Sequence, residues 1–315
     1  NGIPNSSYYY SYKSLDNSPL NRTMAESHPG SAWRALDGAN TVMNYSTNSE
    51  NELRYIKLVG DAMSYGMANP GTLDKSMFFD EDGHESITYT DKFGMILCKA
   101  NVLSSGEART YYVYNNEGQL SHVLPPQGVK ELDDSDWSNI NTQAFKRKWM
   151  FGYKYDGRNR LIEKQVPGAE PVYMVYDARD RLVLTQDGNQ RVQPVGGNIT
   201  LNKYTGQSYQ LNGGTVTLTP GFQVGGSSTT TFSISSTAYN QYTFTKYDFL
   251  NRPIMTGICT ITGDLEDIRA DAQAMSGGET ITTTGHGYST STTYPNESRS
   301  SITFDQVLSV TYYDD

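Results

Sequence analysis

Short stretches in which apolar and polar residues alternate recur along the chain and predict β-strands. The clearest lie at 149–155 and 172–176, where every second residue is aromatic or aliphatic and is expected on one face of a strand. The alternating residues are Trp149, Phe151, Tyr153 and Tyr155, then Val172, Met174 and Tyr176. Such rows on neighbouring strands form cross-strand pairs worth about 0.2–1 kcal/mol each. The alternative interpretation is a row of aromatics that stacks on a ligand in a glycan cleft.

A short motif recurs between these stretches. It reads Tyr-Asp, two variable residues, a Gly or Asn position, a basic residue and an apolar residue. The clear copies are 155–161, 176–182 and 247–253; looser ones follow Tyr89 and Tyr114, a weak one lies at 20–22, and a last one begins at Tyr313. A motif repeated in this way suggests one structural unit used many times.

The motif has the chemistry of a tight hairpin turn. An Asp or Asn side chain opens a type I turn by accepting a backbone N–H two residues further on. The fifth motif position must tolerate a positive φ, which Gly, Asn and Asp do more readily than other residues. That position is held by Gly94, Gly118, Asn159, Asp180 and Asn251. The sequence therefore predicts successive antiparallel hairpins.

Two insertions between the hairpins have helical spacing. Within 133–148 a possible helix would begin after a Ser135 or Asp136 cap, and 264–275 would form an acidic helix. The apolar positions are Trp137, Ile140 and Ala144 in the first and Leu265, Ile268, Ala272 and Met275 in the second. The acidic residues that open the second helix suit the positive end of its dipole.

A third insertion, 194–236, is rich in Gly, Thr and Ser. Val216 and Leu218 alternate with polar residues before a predicted Pro220-Gly221 turn, and Phe222 and Val224 follow it. This pattern predicts a small inserted β-module. A flexible linker is the alternative, because the segment carries little charge.

The composition agrees with a β-rich chain and narrows the possible partners. The 315 residues include 24 Tyr and 29 Gly, and only 19% are charged. A formal net charge of -9 argues against the basic face that nucleic-acid binding uses. No run approaches the roughly 18 apolar residues of a membrane-spanning helix. We therefore expect no nucleic-acid partner and no membrane span.

Residue types that carry catalysis occur without the arrangements that catalysis uses. No two of the four His share a metal-ligand spacing, and there is no Gly-x-Ser-x-Gly elbow or phosphate-binding loop. The histidines are His28, His84, His122 and His286. His286 lies between two Gly residues, where a structural hydrogen bond in a loop is the expected role.

Cysteines and acidic clusters are the remaining candidates. Cys98 and Cys259 could form one disulfide or could both be buried thiols. The acidic stretches 80–83 and 133–136 could offer oxygen ligands to Ca²⁺, but neither completes a calcium-binding loop. A turn explains the first stretch better, and a helix N-terminus explains the second. Paired carboxylates for glycoside hydrolysis depend on three-dimensional separation. We expect no catalytic residue, no cofactor and no metal.

The motif resembles the YD-repeat family, also called Rhs repeats, and is most similar to the long YD-repeat proteins of Bacteroidetes. The likeness covers roughly 8–190 and 240–315 and is most specific over 155–188. It implies a sheet of hairpins that coils into a shell. In the wider family such shells can enclose a toxic C-terminal domain, and some members sit at cell surfaces and are proposed to bind carbohydrate. The chain lacks the family's autoproteolysis signature, Asp-Pro followed by Gly-Leu.

These observations predict a mainly β fold: antiparallel hairpin repeats in a curved, shell-like continuous sheet, with two short helices and a small inserted β-module. The predicted regions are an irregular N-terminal β region at 1–75, a YD-repeat sheet at 76–190 with a helical insertion near 133–148, the inserted module at 191–240, and a continued sheet at 241–315 with a helix near 264–275, truncated at the C-terminus.

The expected function is structural. The chain would be a non-enzymatic wall segment of a large secreted or cell-surface protein, in a shell that encloses a C-terminal toxin domain. Its partners would be the adjacent repeats and that C-terminal domain. The alternative is a carbohydrate-binding or cell-surface adhesion module with a glycan or surface partner.

Overall fold

The computed structural model of the chain describes residues 9–33, 39–191, 199–204, 216–224, 240–275 and 301–313. The prediction of a mainly β fold is confirmed, since fifteen of the described strands belong to one large antiparallel sheet and the helices are short. The chain divides into two compact units. Unit 1 comprises residues 1–153 and 165–168, and unit 2 comprises residues 154–164 and 169–315.

Unit 1 is built from antiparallel strands joined mostly by short connections. They are β1 (Tyr12–Leu15), β2 (Thr23–Ser27), β3 (Thr41–Thr47), β4 (Arg54–Val59), β5 (Ala62–Met67), β6 (Asp74–Phe79), β7 (Glu85–Thr90), β8 (Ile96–Leu103), β9 (Gly106–Tyr114), β10 (Leu120–Leu124) and β11 (Phe151–Tyr155). β4 and β5 form a separate hairpin, and the other strands follow one another in chain order. Tyr89 lies opposite Cys98, which lies opposite Tyr111, so these three buried side chains share one face of the sheet.

That face is covered by the β4–β5 hairpin and by a helical insertion after β10. Trp137 of the insertion packs 5.9 Å from the Tyr65 ring and edge-on to the Tyr111 ring at 6.2 Å. The Asn141 side chain accepts the Met63 N–H at 2.7 Å and donates to the Met63 carbonyl at 2.9 Å. The core of unit 1 is therefore one sheet face closed by two insertions, and the apolar area removed from water is its main stabilisation.

The helical insertion differs from the prediction of one helix near 133–148. It comprises α1 (Pro126–Asp134), a 3₁₀ turn (Trp137–Asn141) and α2 (Gln143–Trp149). Asp136 is a cap, as predicted, but it caps the 3₁₀ turn by accepting the Ser138 N–H at 2.8 Å. With the helix of unit 2, the described residues contain three α-helices where two were predicted.

The face of this insertion is also corrected at one position. Trp137 and Ile140 are buried as predicted, whereas Ala144 is exposed and Phe145 is buried instead. A new helix starts at Thr142, whose hydroxyl accepts the Phe145 N–H at 3.3 Å, so the apolar period restarts there. One helical period across the whole stretch was therefore the wrong pattern.

Unit 2 continues the same architecture. Its elements are β12 (Leu161–Gln165), β13 (Val172–Tyr176), β14 (Leu182–Gln186), β15 (Ile199–Tyr204), β16 (Val216–Val224), β17 (Asn240–Tyr247), β18 (Pro253–Thr262), α3 (Leu265–Gln273) and β19 (Ser301–Val310). The sheet order is β12-β13-β14-β17-β18-β19. Tight turns close the β13–β14 and β17–β18 hairpins, and the long connections β14–β17 and β18–β19 leave the sheet at the opposite strand ends.

The core of unit 2 lies between the sheet and α3. The predicted helix at 264–275 is confirmed, with Asp264 accepting the Asp267 N–H at 2.9 Å and with Ile268, Ala272 and Met275 buried. On β18, Gly257 is required by close approach, because a Cβ there would collide with the Gln306 carbonyl oxygen.

The predicted module at 191–240 contains β15 and β16, which pair in parallel. Pro220 and Gly221 lie inside β16 and do not reverse the chain, so the turn predicted there is wrong. The pairing shifts register between Leu201 and Lys203, which face Leu218 and Gln223 on β16. The Pro-Gly pair therefore sits in a bulge, where a residue without an N–H is tolerated.

Candidate functional site

The recurrent motif forms a five-residue turn, which we call the Asp turn. In the copy that joins β11 to β12, the Asn159 N–H donates to the Asp156 carbonyl at 2.9 Å and the Asp156 N–H donates to the Arg160 carbonyl at 3.0 Å. Asp156 Oδ1 accepts the N–H groups of Arg158 and Arg160 at 2.9 and 3.0 Å. Its Oδ2 accepts Arg160 Nε at 2.7 Å. One carboxylate therefore satisfies the turn backbone and an arginine together.

The turns that open at Asp177 and Asp248 repeat this geometry. Each Oδ1 accepts two backbone N–H groups at 2.8–3.0 Å, and each Oδ2 accepts the Nε of Arg181 or Arg252 at 2.6 and 2.5 Å. The prediction of a positive φ at the fifth motif position is confirmed at Gly94 (79°), Gly118 (76°), Asn159 (65°), Asp180 (63°) and Asn251 (64°).

Other copies keep the turn and change the basic residue. Asn115 donates from Nδ2 to Gln119 Oε1 at 2.7 Å, so two amides replace the ion pair. Asp91 Oδ1 accepts the backbone N–H groups of Phe93 and Met95, both at 2.9 Å. The backbone bonds are thus common to these copies, and the side-chain pair varies.

Five tyrosines bond a hairpin to the one before it. In five places a Tyr hydroxyl donates to the carbonyl of the residue that follows the basic position of the preceding turn. These bonds run from Tyr45 to Thr23, Tyr114 to Ile96, Tyr176 to Leu161, Tyr247 to Leu182 and Tyr313 to Pro253, at 2.9–3.0 Å. The role predicted for Tyr was ring packing alone, and the hydroxyl bond was missed.

The arginines complete the connection. The guanidinium of a turn lies over the ring of the Tyr that belongs to the next hairpin. The distances from Cζ to the ring centroid are 4.4 Å for Arg22 and Tyr45, 4.9 Å for Arg160 and Tyr176, 5.2 Å for Arg181 and Tyr247, and 4.4 Å for Arg252 and Tyr313. Such cation–π contacts contribute about 0.5–2 kcal/mol, more where water is excluded.

The same arginines also bond to the next turn. Arg160 Nη1 donates to the Asp177 carbonyl at 3.1 Å and to Asp180 Oδ1 at 2.7 Å. Arg181 Nη1 donates to the Asp248 carbonyl at 3.3 Å and to Asn251 Oδ1 at 3.2 Å. The fifth position therefore has a second task in unit 2, because an Asp or Asn there accepts the preceding arginine and a Gly could not. We call this set of contacts the Asp–Arg–Tyr ladder.

The Asp177–Arg181 pair is the most buried ion pair of the ladder, so it depends most on complete hydrogen bonding. The Asp177 side chain is fully buried and the Arg181 side chain is 5% exposed. Two charges removed from water are costly unless their hydrogen bonds are complete, and the contacts to the two turns provide many of them. The Asp156–Arg160 and Asp248–Arg252 pairs are more exposed.

Two ladder carboxylates have a lowered pKa. Burial raises the pKa of Asp156, but hydrogen bonds from the Arg160 side chain and from the N–H groups of Arg160 and Arg158 outweigh it. At Asp248, burial is likewise outweighed by the N–H and the guanidinium of Arg252, so its pKa also lies below the ordinary value. Both groups are thus held in their charged form by the turn itself.

The three histidines that the structure describes each have a different polar neighbour. His84 Nδ1 lies 2.9 Å from Asp80 Oδ2 in a turn, His122 lies 2.9 Å from the Ser121 hydroxyl, and His28 is exposed near Glu81. The hydrogen bond with Asp80 raises the pKa of His84. His286 lies outside the described residues. Within the described residues, no group of three or more His, Cys, Asp or Glu could hold a metal ion.

The acidic stretches have different surroundings. Asp80 opens a turn as predicted, with its Oδ1 accepting the N–H groups of Asp82 and His84 at 3.0 and 2.7 Å. The prediction that 133–136 is a helix N-terminus is wrong for its first two residues, because α1 ends at Asp134. Asp133 Oδ1 accepts the Trp137 indole N–H at 2.8 Å, which explains an acid at that helix end.

The cysteines and the aromatic row complete the list of candidates. Cys98 and Cys259 are free and buried, and burial raises the pKa of each thiol to about 12. The row predicted at 149–155 is interrupted, because Trp149 is the last residue of α2 and donates its indole N–H to Glu131 at 2.8 Å. Phe151, Tyr153 and Tyr155 are half-buried, so the row does not form an open stacking surface.

A comparison with solved structures finds, among others, two that match most of this chain and a small part of their own. The structure of TcdB2-TccC3-TEV is 10% identical with a TM-score of 0.42, and the match covers 90% of this chain and 12% of that one. The structure of TcdB2-TccC3-Cdc42 is 12% identical with a TM-score of 0.25, covering 79% of this chain and 14% of that one. A likeness of this degree says nothing about what the chain binds or does.

No family model and no curated protein sequence matches the chain. In the part of the chain that the structure describes, every helix is too short or too polar to cross a lipid bilayer.

Proposed function

We propose that the chain is a non-enzymatic structural wall segment of a larger secreted or cell-surface YD-repeat protein, in which repeated hairpins help to enclose a C-terminal toxin domain. The observation that supports this function is the Asp–Arg–Tyr ladder. Its polar side chains bond to the next hairpin, so the motif's chemistry is used for joining repeats.

The ladder favours a wall because each turn, which we call a rung, uses the same Asp, Arg and Tyr contacts, and each Arg reaches the turn that follows it in the sheet. Arg160 reaches the turn of Asp177, and Arg181 reaches the turn of Asp248. Tyr313 continues the series, since its hydroxyl donates to Pro253 and its ring lies under Arg252. Contacts that repeat from turn to turn can extend a sheet by any number of hairpins. The partners of such a segment are the adjacent repeats and the domain that they surround.

Limited proteolysis of the natural full-length protein tests this function. We expect the domain that follows the repeats to resist proteinase K, and the variant Arg181→Met to expose it because a buried rung is lost. Lys130→Met is the control, since Lys130 is exposed and lies outside the ladder. Digestion of that domain at the rate of its isolated form would contradict the proposal.

The carbohydrate-binding alternative has a separate test. Its predicted aromatic row is half-buried and begins in α2. A glycan array probed with the purified chain would support adhesion if it gave a saturable signal that persists in the Arg181→Met variant.

A further inference from the structure

Two exposed arginines join successive turns of unit 2 in addition to the ladder. Arg158 and Arg179 hold the fourth motif position of their turns. Arg158 Nη1 donates to the Ala178 carbonyl at 3.2 Å, and Arg179 Nη1 donates to the Phe249 carbonyl at 3.3 Å. Each acceptor is the third motif residue of the turn that follows in the sheet. The fourth position therefore bonds to the next turn, as the sixth position does.

The arginines of the fourth and sixth positions meet on one oxygen of the next turn. Asp180 Oδ1 accepts Arg158 Nη1 at 2.9 Å and Arg160 Nη1 at 2.7 Å. A carboxylate or amide oxygen has room for two donors. The second copy of this arrangement, with distances of 3.4 and 3.2 Å to the acceptor, consists of Arg179 Nη1, Arg181 Nη1 and Asn251 Oδ1. We call two arginines and the oxygen that accepts them an Arg clamp.

The acceptor of an Arg clamp can come from only two residue types. The fifth position has a φ of 63° at Asp180 and 64° at Asn251, and Gly, Asn and Asp adopt such values most readily. Of these three, only Asp and Asn supply a side-chain oxygen. With Gly there, the two guanidinium groups of the preceding turn would lie near each other without the oxygen that now lies between them.

Two successive turns of unit 1 show the complementary case. The turn at 91–95 has Phe93 at the fourth position and Met95 at the sixth, and neither side chain can donate a hydrogen bond. The turn that follows it has Gly118 at the fifth position, where an added Cβ would lie 4.0 Å from the Met95 sulfur. The sixth and fifth positions of successive turns therefore adjoin here too, and Gly occurs where there is no donor to accept.

From these pairs we propose that the fifth motif position selects which hairpin can precede it in the sheet. A turn with Arg at the fourth and sixth positions presents a surface that fits a following turn with an Asp or Asn oxygen, and a turn without these arginines fits a following Gly. The proposal deepens the wall function and rests on it for its purpose, which is to fix the order of the hairpins. Its tests measure pairing within the 315-residue chain, so either proposal can fail without the other.

Removal of the acceptor is the first test. Asp180→Gly keeps a residue suited to positive φ but removes the oxygen, so we expect the unfolding equilibrium constant in urea to rise roughly threefold to tenfold. Asp180→Asn should change it by about twofold at most, because Asn251 already accepts two arginines. Asn51→Gly is the control, since Asn51 is exposed, has a φ of 55° and lies outside the ladder. Equal effects of Asp180→Gly and Asn51→Gly would overturn the proposal.

Transfer of a donor and an acceptor to unit 1 tests the selection itself. Met95→Arg introduces the donor, and Gly118→Asn introduces an oxygen at the adjoining position. We expect the unfolding equilibrium constant of the double variant to be lower, by about threefold or more, than the product of the two single effects predicts. Gly118→Ala is the matched control, because it adds a side chain without an oxygen and should show no such coupling to Met95→Arg. Additive effects with Asn, or equal coupling with Asn and Ala, would overturn the proposal.

Discussion

The Tyr247 hydroxyl donates to the Leu182 carbonyl at 2.9 Å, which joins one hairpin to the hairpin before it. The bond belongs to a series in which the Tyr of the motif acts on the preceding repeat and the Asp acts within its own turn. The Tyr and Asp of the motif are therefore adjacent in sequence but have different structural tasks.

Removal of that hydroxyl tests its contribution. Tyr247→Phe keeps the ring under Arg181 and removes the donor, so we expect a loss of about 0.5–1.5 kcal/mol in the free energy of unfolding. Urea denaturation provides the measurement. Tyr9→Phe is the control, because Tyr9 is 76% exposed. Equal effects of the two variants would show that the hydroxyl bond adds no stability.

The buried rung should be the most sensitive to substitution. Arg181→Met removes the partner of the fully buried Asp177 carboxylate, and we expect a loss of about 3–5 kcal/mol. Thermal unfolding would show this as a much lower midpoint. The double variant Asp177→Asn with Arg181→Gln should recover part of the loss, because Asn115 and Gln119 already form such a pair. A double variant no more stable than Arg181→Met would contradict this interpretation of the turn.

Acid should weaken the fold through the ladder carboxylates. The pKa values of Asp156 and Asp248 lie below the ordinary 3.8, so the unfolded chain takes up protons first as the pH falls. Their contribution is complete above about pH 5 and is lost as the pH falls through their folded pKa values. Unfolding in urea between pH 6 and pH 3 should show a shallower decline for Asp156→Asn with Asp248→Asn than for the wild type. Parallel curves would refute the assignment.

Substitution of two glycines by Ala tests the cost of a positive φ, because neither position is crowded. Gly94 has a φ of +79°, and no atom lies within 4 Å of the position that an added methyl group would take there. Gly94→Ala should therefore cost about 1–2 kcal/mol through conformation alone. Gly157 has equal space and no positive φ, so Gly157→Ala should be neutral or slightly stabilising. Chemical denaturation of both variants measures the difference, and Gly94→Asn should recover part of it.

The two cysteine thiols should not react with thiol reagents until the protein unfolds. Cys98 and Cys259 are fully buried, and burial raises the pKa of each thiol to about 12, so little thiolate is present at pH 8. A thiol reagent should detect no thiol in the native chain and two in urea. No thiol in either condition would show a disulfide.

The local motif allowed much of the fold to be predicted from sequence. An Asp that accepts a nearby N–H and a residue suited to positive φ are properties of a few adjacent positions, and the turns at Asp156, Asp177 and Asp248 followed directly from them. The helix at 264–275 was also local, since Asp264 caps it and its apolar face repeats without interruption.

The misses arose where long-range contacts decide the structure. The bond from Tyr176 to Leu161 joins residues 15 apart, and no local pattern specifies its acceptor. The spacing of Trp137, Ile140 and Ala144 suited one helix. In the structure a new helix begins after a cap at Thr142, and its buried face contains Phe145.

In unit 2 the long connections β14–β17 and β18–β19 leave the sheet at the strand ends away from the tight turns at Asp177 and Asp248. A segment gained or lost at those ends leaves every rung with its original partners. Related chains can therefore diversify there while the scaffold stays the same, and an engineer who wishes to graft a foreign domain should choose these connections.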